Sequence, residues 1–221
     1  MDLTQETLGA LARDLPDATT VLLRHRLDFC CGGERTLGAA CASAGLDAAV
    51  IAAELDAASR RSTEPPPAWA QMPLVELCDH IEARYHQTLR DDVPPLIAAA
   101  HKVERVHAGK PAVPTGLGAG LQHMWNELQS HMMKEERVLF PMIRQGQGAM
   151  AHAPVQVMRH EHDEHAVNLR GLRALTGDHV PPPHACATWR ALYAGLARLE
   201  RELMEHIHLE NHVLFPRALG R

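Results

Sequence analysis

The sequence of 221 residues predicts an all-α chain: an up-down four-helix bundle preceded by a small helical module. Three observations predict it. Apolar residues recur at three- and four-residue spacing through four long segments joined by short connections, which is the pattern of amphipathic helices in a bundle. A proline-rich stretch, STEPPPAWAQ at 62–71, separates these segments from a shorter first part. Finally, one pattern occurs twice: HMMKEERVLFP at His131–Pro141 and HIHLENHVLFP at His206–Pro216, 75 residues on from 131 to 206. A repeat of that length means that one supersecondary unit is used twice.

Taken in order, Thr4 is placed to cap a helix through Leu15 and Asp17 one through about Arg26, while Thr36 and Asp47 precede alanine-rich helices ending near Arg61. Between the second and third of these lies LDFCCGG at 27–33, where paired glycines permit a tight backbone that exposes two sulfurs. The predicted layout is therefore a small domain at 1–61, a linker at 62–71 and a bundle at 72–221. The first bundle helix runs from Leu74 toward His107, with a kink expected at Pro94-Pro95 because an interior proline removes a hydrogen bond and crowds the preceding turn. The second spans Leu117 to Gln145 and ends at Gly146 and Gly148; the third spans Pro154 to Leu175. DHVPPP at 178–183 connects it to a fourth from His184 to Leu219.

Composition narrows the class. Hydrophobic residues make up 46% and the net charge is −5, which leaves no basic footprint for nucleic acid. No apolar run is long enough for a membrane span, and the amino terminus lacks the pattern of a signal peptide, so the expectation is a cytoplasmic protein. Five cysteines, two of them adjacent, do not form a secreted disulfide framework. The unusual features are 16 histidines against only 4% aromatic residues.

Residues four apart share a helix face, so His131 with Glu135, and His206 with Glu210, each present an imidazole beside a carboxylate. Both pairs continue apolar stripes: Leu121, Met124, Leu128, His131, Glu135, Val138, Met142 in one copy, and Leu192, Leu196, Leu199, Leu203, His206, Glu210, Val213 in the other. One buried His–Glu pair is ordinary. Two at equivalent places would cost several kcal/mol per unpaired charge unless a cation joined them. The repeat also selects further ligands, since His86 precedes His131 by 45 residues and His162 precedes His206 by 44. The inward stripes contain both: His86 with Leu89, Val93 and Ala100, and His162 with Val155, Met158, His165, Leu169 and Leu172. His165 stays open as a fifth histidine or a neighbour of the ligands. His160 lies off the third helix's stripe, His80 reads as a surface or capping residue, and His101, His107, His123, His152, His179, His184, His208 and His212 read as ordinary side chains.

Four imidazoles and two carboxylates suit two ions bridged by both glutamates, with room for a bridging oxide or hydroxide and an open position for a small ligand. Nitrogen and oxygen donors at expanded coordination favour iron or manganese over structural zinc. Glu127 and Glu161 are candidates to orient ligands or carry protons. Cys30 and Cys31 suit redox exchange or a shared ligand, the alternative being small buried residues in a turn. Cys41, Cys78 and Cys186 read as packing positions.

LDFCCGG at 27–33, RYH at 84–86, SHMMKEE at 130–136, EHDE at 161–164 and HIHLENHVLFPRAL at 206–219 resemble, in the same order, the RIC proteins (repair of iron centres), the ScdA- and YtfE-type di-iron proteins. The resemblance covers the whole chain. It implies a hemerythrin-like bundle holding two non-haem irons, with His86, His131, His162 and His206 as terminal ligands and Glu135 and Glu210 as bridges. It further implies Glu127 and Glu161 around the site, and a short first domain bearing Cys30 and Cys31. The implied function is repair of iron-sulfur clusters after nitrosative or oxidative stress by donation of iron. Competing expectations are a protein that binds nitric oxide or dioxygen, and an enzyme that reduces nitric oxide to nitrous oxide. Damaged iron-sulfur proteins would be the partners; a homodimer is compatible with the layout, and nothing in the sequence decides it.

Overall fold

The computed structural model describes residues 2–63 and 68–220, so residues 64–67 of the expected linker lie outside the described residues. The described residues are helical, their only β-type pairing being an isolated antiparallel bridge between Thr7 and Thr36. The contacts divide the chain into two compact units, one formed by 1–77 with 204–221 and the other by 78–203.

In the first unit, helices α1 (Leu8–Asp14), α2 (Ala18–Arg24), α3 (Leu37–Ala44) and α4 (Ala48–Arg61) surround a core of Leu8, Leu11, Val21, Leu22, Phe29, Leu37, Ile51 and Leu55. Caps set most of the starts. Thr36 Oγ1 accepts from the Ala39 N–H at 3.2 Å and Asp47 Oδ1 from that of Ala49 at 2.9 Å, as the sequence predicts. The first helix differs, because Thr4 falls in a short 3₁₀ turn, Leu3–Gln5, that Asp2 caps, and Thr7 caps α1 instead. Asp17 precedes α2 in the left-handed region, φ 58°, and makes no capping bond. The segment 204–221 belongs to this unit: α1 packs against the turn Glu210–Leu214, and Arg217 donates to the carbonyls of Trp69 and Met72 at 2.7 Å each.

The second unit begins within α5 (Leu74–His80), which with a π-helical turn (Ile81–His86) and α6 (Gln87–Val106) forms one rod. α6 continues through Pro94 and Pro95 without a break, and both prolines are exposed, so the carbonyls they leave without a donor belong to solvent-facing residues. Next come α7 (Leu117–Lys134), a second π-helical turn (Glu135–Leu139) and α8 (Phe140–Arg144), then α9 (His152–Leu175) and α10 (Ala187–Leu209). From Met204 on, α10 belongs to the first unit, as do a third π-helical turn (Glu210–Leu214) and α11 (Phe215–Ala218).

Neighbouring rods close a ring. α6 packs on α7 and α7 on α9. Arg173 of α9 binds Glu200 of α10, and Arg198 of α10 binds Asp92 of α6 at 3.1 Å. Gly195 lets α10 approach α6 closely, since a Cβ there would stand 2.6 Å from Leu96 Cδ2. Among the described residues no helix is long and apolar enough to cross a membrane.

Candidate metal centre

The three π-helical turns coincide with ligand positions expected from the sequence. His86 ends the first; Glu135 and Glu210 begin the other two. In each, the next backbone N–H reaches five residues back instead of four: Gln87 to the Glu82 carbonyl, Phe140 to Glu135 and Phe215 to Glu210. Pro141 and Pro216, the last residues of the repeated Val-Leu-Phe-Pro, have no N–H to give, so an ordinary helical ladder is interrupted at the same place in both copies.

The extra residue in the wide turn shifts the phase of the helix. In the first copy the stripe expected to continue through Val138 and Met142 passes instead through Leu139 and Ile143. Val138 is 50% exposed and Leu139 only 1%. Val213 is buried as expected, together with Leu214 and Phe215.

Within the second unit, one donor atom of each of His131, Glu135 and His162 lies within 4.8 Å of the others, and all three residues are buried. Nε2 of His86 and of His131 lie 3.3 and 3.5 Å from Glu135 Oε2, yet neither oxygen of this fully buried carboxylate makes a hydrogen bond. Nε2 of His131 and of His162 face each other at 3.1 Å. Lone pairs converging in a dry core, around a carboxylate with no donor, fit a cation shared among them.

The outer ring nitrogens are engaged in the way metal-binding histidines require. His86 Nδ1 meets Glu136 Oε1 at 2.7 Å and His131 Nδ1 meets Glu161 Oε2 at 2.9 Å; with the carboxylates accepting from Nδ1–H, each ring turns its Nε2 toward Glu135. The His131 hydrogen bond, then the Lys134 ammonium, hold the Glu161 carboxyl down at about 2. Burial works against Glu136, but Arg90 at 2.6 Å and His86 outweigh it and keep that carboxyl below its ordinary range. Glu136 was not singled out in the sequence, although its place beside Glu135 in KEE was a usable signal.

Glu127 is engaged elsewhere, accepting from Asn168 at 2.6 Å with His123 at 3.2 Å. The buried His165 stands edge-on to His131, centroids 5.1 Å apart, and is not among the donors converging within 4.8 Å. His80 is half-buried against Tyr85, and His160 is exposed.

In the first unit, His206 Nε2 and Glu210 Oε1 are 3.0 Å apart and both residues are buried. The same helix end holds the Cys-Cys loop. Asn211 Nδ2 and His212 Nε2 meet the Cys30 carbonyl at 3.2 and 2.9 Å, His208 Nδ1 meets that of Phe29 at 3.3 Å, and the two histidines stack 5.1 Å apart. The His212 ring fits against Gly9 and Gly33, where a Cβ would collide with it. Burial, then the charge of His212, drives the His208 pKa down to about 3. Asp28 Oδ1 accepts from the backbone N–H of Cys30 and of Cys31 at 3.2 and 2.9 Å. The two sulfurs are 3.9 Å apart as free thiols. Sharing with Cys31, burial and the Asp28 charge push the Cys30 thiol well up.

The family model described as the hemerythrin HHE cation-binding domain matches residues 79–218, and one described as a domain of unknown function (DUF542) matches 4–59. The iron-sulfur cluster repair protein YtfE of Edwardsiella ictaluri is 50% identical over 216 residues, 96% of each chain. The YtfE proteins of Escherichia coli O17:K52:H18 and of Escherichia fergusonii are each 49% identical over 215 residues, 97% of each chain. The chain belongs to the YtfE family. Its long rods are thus a hemerythrin-type helical bundle, a domain described as cation-binding, and the described residues include buried His/Glu clusters whose donor atoms could hold a metal ion.

Proposed function

We propose that this YtfE-family protein repairs damaged iron-sulfur clusters in the cytoplasm by donating iron from a two-iron store. His86, His131, His162 and His206 are the terminal ligands, and Glu135 and Glu210 the bridges beside an oxide or hydroxide. The observation that carries the reading is the Glu135 carboxylate, buried without a hydrogen bond and facing the Nε2 atoms of His86 and His131. The repeat extends it, because His206 and Glu210 stand in the second copy where His131 and Glu135 stand in the first. Bound there, iron would supply an open position for a small ligand such as nitric oxide or dioxygen.

The chain's own residues prepare the site. Glu136 and Glu161 hold His86 and His131 in the tautomer that presents Nε2, and of the two carboxylates named from sequence, Glu161 rather than Glu127 takes this orienting role. The layout we assign is a small domain at 1–61, a linker at 62–71 and the bundle at 72–221, with Cys30 and Cys31 as redox partners of the repair.

The test is anaerobic. Protein loaded with isotopically labelled ferrous iron is mixed with an iron-sulfur enzyme whose cluster has been damaged by nitric oxide. Recovered activity with label in the client and matching loss from the donor is the expected result. Recovery with the label retained would refute donation and favour removal of nitric oxide at the open position. Nitrous oxide formed over many cycles would favour its reduction.

A further inference from the structure

We propose that Cys186 and His107 form a second reactive site, a nucleophilic thiolate that exchanges with low-molecular-weight disulfides. It lies in the second unit and uses none of the metal ligands.

Cys186 immediately precedes α10. Its carbonyl accepts the Arg190 N–H at 3.0 Å, and the backbone N–H groups of Trp189 and Thr188 draw its thiol below the ordinary pKa. A sulfur in this capping position receives the unsatisfied donors of a helix start and its partial positive charge, both of which favour the anion. His107, the residue closing α6, supplies a third donor: its Nε2 is 3.3 Å from Cys186 Sγ.

The histidine is built into place. It is buried, 6% exposed, and its ring packs on that of the fully buried Trp189 with centroids 5.0 Å apart. Its Nδ1 is buried with no hydrogen-bond partner. That orphan fixes the direction of the bond. If the thiol donated to Nε2, the proton would sit on Nδ1 as a buried N–H with no acceptor, the costlier kind of orphan. With the proton on Nε2, the ring donates to sulfur and leaves only an unused lone pair. The arrangement therefore matches an anionic sulfur.

The other cysteines differ. Cys31, burial and Asp28 push Cys30 up, and burial pushes Cys41 up, whereas the helix donors push Cys186 down. Cys186 is also partly open to solvent. Sequence spacing read Cys186 as packing and His107 as ordinary, because 79 positions separate them and only the fold joins α6 to the start of α10.

In the exchange, Cys186 Sγ attacks one sulfur of a small disulfide. A new S–S bond forms as the old one breaks, so Cys186 is oxidised and the departing thiolate is reduced, leaving with the electron pair and taking a proton from water. His107 keeps its proton and serves as a positioning residue.

The experiment uses the full chain under anaerobic conditions, with oxidised glutathione and, separately, monobromobimane as probes, and peptide mapping after quenching. Cys186 should carry most of the label at less than one equivalent, with a rate profile whose inflection lies below the about 8.5 of an ordinary thiol. His107→Ala should move that inflection up, and Cys186→Ser should abolish the fast phase while leaving metal content unchanged. Labelling confined to Cys30 and Cys31, or an inflection for Cys186 at or above that of free cysteine, would overturn the proposal. The wild-type profile decides this even where the His107 variant folds poorly.

Discussion

Glu135→Leu separates what the buried carboxylate does for the metal from what it does for the fold. Both Glu135 oxygens are buried and make no hydrogen bond, so in the metal-free chain the side chain is a desolvated carboxyl beside two imidazoles. A buried polar group that makes no hydrogen bond costs about 1–3 kcal/mol, so an apolar side chain of similar volume in its place should leave the metal-free chain no less stable. The metal-loaded protein should respond in the opposite sense. A ligand at a hundredfold excess over its Kd stabilises the native state by about 2.7 kcal/mol, and that increment disappears when the bridge is lost. Denaturant melts with and without ferrous iron, run anaerobically and paired with metal analysis, read both effects. The variant should match or exceed the wild type without metal, bind at least one iron fewer, and gain little from added iron. A metal-free variant more than about 2 kcal/mol below the wild type, or one retaining full iron, would show that Glu135 serves packing rather than coordination.

Two further outcomes test the surroundings of the site. Glu161→Gln and Glu136→Gln each weaken the carboxylate that fixes a ligand imidazole and should lower metal affinity about 10- to 100-fold, measured by competition with a chromogenic chelator. Glu127→Gln is the control, since its partners are Asn168 and His123, and an equal loss there would refute the assignment. Gly33→Ala places a Cβ against the His212 ring and 2.6 Å from the Phe29 carbonyl, overpacking that should cost about 1–3 kcal/mol. Hydrogen exchange of the 28–33 backbone should speed up, and unchanged protection would mean that His212 does not clamp the loop.

Much of this was legible because helical periodicity is a local property. The stripes through His86, His131 and His162 are buried as expected, and the repeat marked the two His–Glu pairs before any geometry was known. Failures occurred where local rules were overridden. The phase slip at Val138 came from a π-helical turn, which has no pattern of its own; only Pro141 and Pro216 hinted at it. Thr4 lost the capping position to Thr7, three residues on and equally able to cap. The Cys186–His107 pair and the clasp of His208, Asn211 and His212 on the Cys-Cys loop join residues distant in sequence, and no spacing encodes them.

Charge is arranged around the centre in alternating layers, and the order has a consequence. At the inside stands the Glu135 carboxylate, then the imidazoles of His86 and His131, then the carboxylates of Glu136 and Glu161, and outside them the cations Arg90 and Lys134. If the outer carboxylates stood alone, their charge would favour protonated imidazoles, which cannot coordinate. Arg90 and Lys134 balance that charge, and together with the His86 and His131 hydrogen bonds they hold the Glu136 and Glu161 carboxyls below their ordinary range. The two rings are thereby oriented with Nε2 toward Glu135, whose buried oxygens make no hydrogen bond. A cation at the inside would continue this alternation of charge, set between the Nε2 atoms of His86 and His131 and the buried Glu135 carboxylate.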